Sequence, residues 1–121
     1  MNKPENRMEQ VRDDGGVKIL KMIGRFTVET TADFNNVCHA VSRDDSTRAI
    51  LLDLEDAGEM DTTGFACMIN FIKENILKGV KVGVINMNEK EKSLMEILKI
   101  SPMIKLFDNE AEGVRILSEG E

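Results

Sequence analysis

The stretch AILLDLEDAGEMDTTGF, residues 49–65, decides the fold. From Ala49 to Leu54 every position but Asp53 is apolar. That pattern suits a strand covered on both faces better than one alternating between core and water. The acidic and small residues from Glu55 to Asp61 read as a loop. Beyond it Phe65, Met68, Ile69, Ile72 and Ile76 recur at three- and four-residue steps, the apolar face of an amphipathic helix. Lys78-Gly79 closes that helix with a basic last turn and a C-cap glycine.

Working outward, the same β–α alternation extends along the chain. Upstream, Asp13-Asp14-Gly15-Gly16 is a turn signal between extended stretches over 8–12 and 17–23, a β-hairpin. In the second stretch Val17, Ile19 and Ile23 alternate with Lys18, while Leu20 and Met22 point to a second layer. Over 30–41, Phe34, Val37, Cys38 and Val41 predict a helix that stops near Ser42-Arg43-Asp44-Asp45. Downstream, 80–87 is an apolar strand. A helix over 88–99 with Leu94, Ile97 and Leu98 inward follows, stopped by Ser101-Pro102. A short strand over 104–107 precedes a last helix with Ala111, Val114 and Leu117 along one side. The expected fold is α/β: a mixed sheet of about five strands, beginning with the hairpin, and about four helices. It forms one domain over 8–118, between a flexible N-terminus at 1–7 and a tail at 119–121.

Composition limits the function classes. A chain of 121 residues can bury roughly two-thirds of its unfolded surface without a disulfide or metal staple. With 41% hydrophobic and 31% charged residues it is globular rather than disordered. Its 22 acidic and 16 basic residues give a net charge of −6, which repels phosphate backbones, and the absence of Trp and Tyr removes the usual stacking platforms. Nucleic acid is not expected as a partner. No apolar run approaches the roughly 20 residues needed to span a bilayer, so no membrane insertion is expected. The charged opening MNKPENRMEQVRDDGG does not read as a secretory signal. Cys38 and Cys67 lack CxxC spacing and read as buried free thiols, as in a reducing cytoplasm.

Enzyme signatures are scarce. His39, the only histidine, follows Cys38 on a helix, where neighbouring side chains diverge, so neither a Cys–His dyad nor a zinc site is expected. Gly79 and Gly83 flank a strand and form no phosphate-cradling glycine loop. Glu55, Asp56, Glu59 and Asp61 could perform acid–base work or hold a divalent cation. They lack EF-hand spacing, and a solvated acidic loop is the simpler reading. No catalytic residue, metal or cofactor is assigned.

MDTTGF, residues 60–65, stands out by position: it joins the carboxyl end of a central strand to a helix, where α/β folds place their sites. Asp61, Thr62 and Thr63 are all capable N-caps. Alternatively, one threonine is a phosphoacceptor, its phosphate stabilised by free first-turn amides and the helix dipole. Such a phosphate adds about −1.5 to −2 charges and turns a binding surface into a repulsive one. Local rules leave both roles open. Met60 and Phe65, apolar on either side, make residues Met60 to Phe65 a candidate docking surface, with core packing as the other reading of both. A chain of this charge is expected to be steered toward a basic partner surface.

ILLDLEDAGEMDTTGF, the following helix, GVKVGVINM and EKEKSLMEILKISPMIKLF together resemble the STAS domain family, whose founding members are bacterial anti-sigma factor antagonists. The resemblance covers about residues 8–118. It implies a cytoplasmic partner-switching regulator of transcription: the unphosphorylated protein binds an anti-sigma factor that is also a serine/threonine kinase. Phosphorylation of the first hydroxyl after the aspartate breaks the complex, and a phosphatase restores it. By position, Thr62 matches the phosphoacceptor, Asp61 the preceding acid, Thr63 the second hydroxyl and Gly64 the close-packing glycine. The partner-binding residues implied are Met60, Asp61, Thr62, Thr63, Gly64 and Phe65. Serine is commoner at the acceptor, and Gly24-Arg25-Phe26-Thr27 departs from the more usual Gly-x-Leu/Ile-Asp. The alternative is a non-phosphorylated STAS subunit that docks on a membrane transporter complex.

Overall fold

The computed structural model describes residues 6–100 and 104–119. The flexible start expected at 1–7 and the tail at 119–121 therefore lie largely outside the described residues, as does the Ser101-Pro102 helix stop. Strand β1 (Asn6–Asp14) begins within the first of these segments. It returns through Gly15 and Gly16, at φ +62° and +86°, into β2 (Val17–Phe26). Two consecutive residues at positive φ make the tight turn whose twist matches a hairpin, which explains a glycine pair there.

From β2 the chain alternates as expected. Helix α1 (Thr31–Ser42) leads to β3 (Ala49–Asp53) and β4 (Ala57–Met60), then α2 (Thr62–Leu77) and β5 (Lys81–Ile85). Helix α3 (Glu89–Ile97), β6 (Lys105–Phe107) and α4 (Glu110–Ser118) complete the described chain. The sheet runs β1-β2-β3-β5-β6, antiparallel only between β1 and β2. It is the mixed α/β architecture expected, with four helices among the described residues.

Alternation along the strands divides the core. Leu20, Met22, Ile50, Leu52 and Val84 face one side, where Phe34 and Cys38 of α1, Phe65, Met68 and Ile72 of α2 and Met95 of α3 cover them. Val17, Ile19, Ala49, Leu51 and Ile85 face the other, against Leu117 of α4. All five residues of β3 are buried, the burial on both faces that its apolar run implied. Its Asp53 is buried too, and its role belongs to the site below.

Three expectations are corrected. The loop expected from Glu55 to Asp61 contains β4, a sixth described strand. β2 outruns β3: it pairs with β3 through Lys21 and with β4 from Gly24 to Phe26. That edge is what draws the weakly strand-forming Ala-Gly-Glu-Met into the sheet. In α3, Ile97 and Leu98 are exposed at 72% and 53%, and the buried residues are Glu91 and Met95. The Asn88–Glu91 capping box fixes the helix start, and Lys99 at φ +59° ends it. Ile100 N then donates to Met95 O at 3.1 Å, and buried Ile100 takes the core place expected of Ile97 and Leu98. In α4, Ala111 is exposed and Gly113 is buried, so the packed side runs through Gly113, Val114 and Leu117.

Candidate functional site

The carboxyl ends of β2, β3 and β5 meet at one end of the sheet, where α2 starts. Asp61 is its N-cap, with extended backbone, and its Oδ1 accepts from Gly64 N at 2.9 Å. Of the three capable residues the carboxylate caps; Thr62 and Thr63 are the first two residues of α2 and both are exposed. The same carboxylate reaches across to the loop between β2 and α1, where Oδ2 accepts from Val28 N at 3.0 Å. Hydrogen bonds from Gly64 N–H, then Val28 N–H, hold the Asp61 carboxyl below its ordinary value, so it is ionised at neutral pH.

Behind the cap the chain is packed without slack. Asp61 N donates to Phe26 O at 3.2 Å, and Phe65 N to Asp61 O at 2.9 Å. A Cβ on Gly64 would lie 1.8 Å from Phe26 O, so only glycine lets α2 start against the end of β2. Met60 and Phe65 are 5% and 1% exposed, members of the core beneath the site. Gly64 is buried as well. Of the six residues expected to meet a partner, the structure thus leaves Thr62 and Thr63 exposed and Asp61 half-buried.

The surface beside the threonines is one that periodicity did not single out. Thr27 and Thr30 are buried and shape the β2–α1 loop from within. Thr27 N donates to Thr30 Oγ1 at 2.9 Å, and Glu29 N to Thr27 Oγ1 at 3.3 Å. Thr27, standing where a carboxylate is more usual, therefore serves the loop's own hydrogen bonding. Val28 at the tip is 62% exposed, an apolar side chain held out beside the start of α2 by the Asp61 bond. The sequence signal was slight: one valine in a polar five-residue run, Thr27 to Thr31.

The acidic loop resolves into ion pairs. Lys21 Nζ lies 3.2 Å from Asp56, 3.6 Å from Glu55 and 3.9 Å from Asp53, and the Asp56 bond leads the causes that raise the lysine's pKa. Arg25 lies 3.5 Å from Glu59 and 3.7 Å from Glu29. Asp53 Oδ1 accepts from Glu55 N at 2.9 Å and from Asn86 Nδ2 at 2.8 Å, tying β3 to the residue after β5. Asn86 sits at φ +62°, a left-handed position that asparagine tolerates better than most residues. Among the described residues no group of three His, Cys, Asp or Glu side chains is arranged to hold a metal ion. Cys38 is buried and His39 exposed, so the neighbours diverge; burial pushes the Cys38 thiol up to about 12. Cys67 is half-buried.

An antiparallel hairpin leading into parallel strands, with a capped Asp-Thr-Thr-Gly turn at their carboxyl ends, defines a small α/β module with a mixed sheet. The sequence pattern of the STAS domain family matches residues 9–113, and the chain belongs to that family. No curated protein sequence matches it. Solved structures do. An anti-sigma factor antagonist from Mycobacterium paratuberculosis aligns with TM-score 0.79 at 15% identity, over 98% of this chain and 100% of that one. The unphosphorylated anti-sigma factor antagonist SpoIIAA gives 0.69 at 11% identity, over 96% and 99%. The murine anion transporter Slc26a9 gives 0.73 at 14% identity, over 90% of this chain and 19% of that one. At such identities the likeness is one of fold. No described helix is long and apolar enough to cross a membrane.

Proposed function

We propose that the chain is a cytoplasmic, non-catalytic partner-switching module of the anti-sigma factor antagonist kind, with Thr62 as its phosphoacceptor. The observation that carries this reading is the closeness of Thr62, exposed at the start of α2, to exposed Val28, their two segments joined by the Asp61 carboxylate, which accepts from Gly64 N on one side and Val28 N on the other. A partner that lies across α2's first turn and the neighbouring loop covers Thr62, Thr63 and Val28 together. Met60, Gly64 and Phe65 support that surface from the core.

The geometry also alters how a phosphate acts. Gly64 N–H, a first-turn amide that would otherwise receive a phosphate, is held by ionised Asp61. A phosphate on Thr62 adds about −1.5 to −2 charges next to that carboxylate, and repulsion and desolvation then oppose docking. The partner expected is an anti-sigma factor with serine/threonine kinase activity, and a phosphatase resets the switch. Incubation with the cognate kinase and ATP tests this: wild type and Thr63→Ala take up phosphate, while Thr62→Ala does not. Equal labelling of Thr62→Ala removes the assignment.

The likeness to the Slc26a9 transporter chain supports a second reading, a subunit docking on a membrane transporter with no phosphate cycle. Membrane co-fractionation that depends on a transporter partner and is unchanged in Thr62→Ala favours that reading over the first.

A further inference from the structure

No described element covers the outer face of α2. Along it Ala66, Asn70, Lys73 and Leu77 are exposed at steps of four, three and four residues. That spacing is the seam along which one helix packs against another. Beside the seam, α1 and α2 leave an open groove of about 440 Å³. Its floor is apolar: buried Phe71 and Cys38 and half-buried Cys67 line it. Leu77, 87% exposed, stands at the same groove. One exposed leucine is ordinary on a protein surface. Here an apolar side chain and an apolar groove share one face, and a second copy of that face supplies the complement of both.

Charge points to the same occupant. Lys73 and Glu74 are exposed in the middle of the stripe, and neither has an ion-pair partner among the described residues. Consider two α2 helices packed antiparallel, with a two-fold axis between positions 73 and 74. Lys73 of each copy then faces Glu74 of the other, so both cations and both carboxylates are paired at once. The same register sets Leu77 of each copy over Asn70 of the other, at the edge of its groove. A parallel two-fold would instead set lysine against lysine and glutamate against glutamate. The net charge of −6 opposes self-association at long range, but reciprocal pairs act well inside the screening length, about 8 Å at 0.15 M salt.

We propose that the α1–α2 face binds a second copy of the chain, forming a two-fold dimer through antiparallel α2 helices. Reciprocal Lys73–Glu74 pairs lie at its axis, and Leu77 of each copy seats in the other's groove. The overlap spans two turns of α2, from Asn70 to Leu77, a small interface that makes a weak dimer. Thr62 lies roughly 17 Å along the helix from the axis, so its surface stays open at opposite ends of the dimer. The dimer is independent of any phosphorylation there.

Sedimentation equilibrium of the full chain, from about 10 μM to about 1 mM in 0.15 M sodium chloride, tests this. Expected is an average mass that rises from one chain toward two, equally in wild type and Thr62→Ala. Leu77→Ser removes two apolar contacts at once, and Lys73→Glu makes both reciprocal pairs repulsive. Each weakens association by about tenfold or more. The exchange of both charges, Lys73→Glu with Glu74→Lys, rebuilds the pairs and restores association to within about threefold of wild type. All three side chains are exposed, so urea midpoints of the variants match the wild type. A mass of one chain throughout, association that Leu77→Ser leaves unchanged, or a double exchange no tighter than Lys73→Glu alone overturns the proposal.

Discussion

Gly64 is the residue on which the geometry of the site rests most directly. With Phe26 O 1.8 Å from where a Cβ would be, Gly64→Ala must push α2 off β2 or bend the end of β2. Both movements disturb packed backbone, and a cost of about 1–3 kcal/mol or more is expected from overpacking. Gly58 in β4 is the internal control, since its Cβ would meet Gly24 O at 3.3 Å, a contact that small adjustments relieve. Urea unfolding should rank Gly64→Ala well below Gly58→Ala and wild type, and equal midpoints for the two variants would refute the close-packing role. The glycine was legible in the sequence by its place after Asp-Thr-Thr. Asp61's second bond, to Val28 N, was not, because it joins residues 33 apart that only the meeting of β2 and β4 brings together. Asp61→Asn keeps an acceptor of the same shape, whereas Asp61→Ala loses both bonds. If Val28 contributes to docking, Asp61→Ala weakens partner binding even with Thr62 unphosphorylated, and Asp61→Asn does so less. Calorimetric titration with the partner measures both.

Among the elements, the ones read correctly were those whose periodicity comes from burial. β3 is apolar because both faces are covered, and α2 repeats every three to four residues because one face is. β4 and the buried face of α3 were misread for the same physical reason: their placement comes from partners and caps rather than from an apolar stripe. Four residues suffice for β4 because β2 already offers an edge, and α3 turns on its capping box. Lys18 shows a similar dependence between elements. It lies on the α1–α3 side of β2, only 7% exposed, and its Nζ meets Asp44 in the α1–β3 connection. The bond from Lys18, then those from Ser46, hold the Asp44 carboxyl below the ordinary carboxylate range. A depressed folded-state pKa contributes stability that is complete above the ordinary value of 3.8 and is lost as the pH falls through the folded-state value. The urea midpoint of wild type should therefore exceed that of Asp44→Asn at pH 6, with the gap closing as acid is added below about pH 4. A gap that stays constant from pH 6 to pH 3 would show that the pair contributes nothing through ionisation.

For the whole molecule, charge and site act over different distances, and this separates two effects that a binding constant alone would merge. The net charge of −6 is a property of the entire surface and would steer encounter with the basic partner face that the proposed switch expects. In the proposed switch, a phosphate on Thr62 would touch the docked surface itself. Steering is felt before contact, so it governs the association rate and fades as salt shortens the screening length to about 8 Å at 0.15 M. Repulsion and desolvation at Thr62 are felt on contact, beside ionised Asp61, and therefore govern dissociation. Surface plasmon resonance with the proposed kinase partner can resolve the two. Raising sodium chloride from about 50 to 500 mM should slow association of the wild type by about tenfold and leave dissociation nearly unchanged. Thr62→Glu should do the reverse: it adds charge of the steering sign, so association stays close to wild type, while dissociation quickens by about tenfold. If Thr62→Glu instead lowers only the association rate, its charge acts at a distance and Thr62 does not lie in the docked surface.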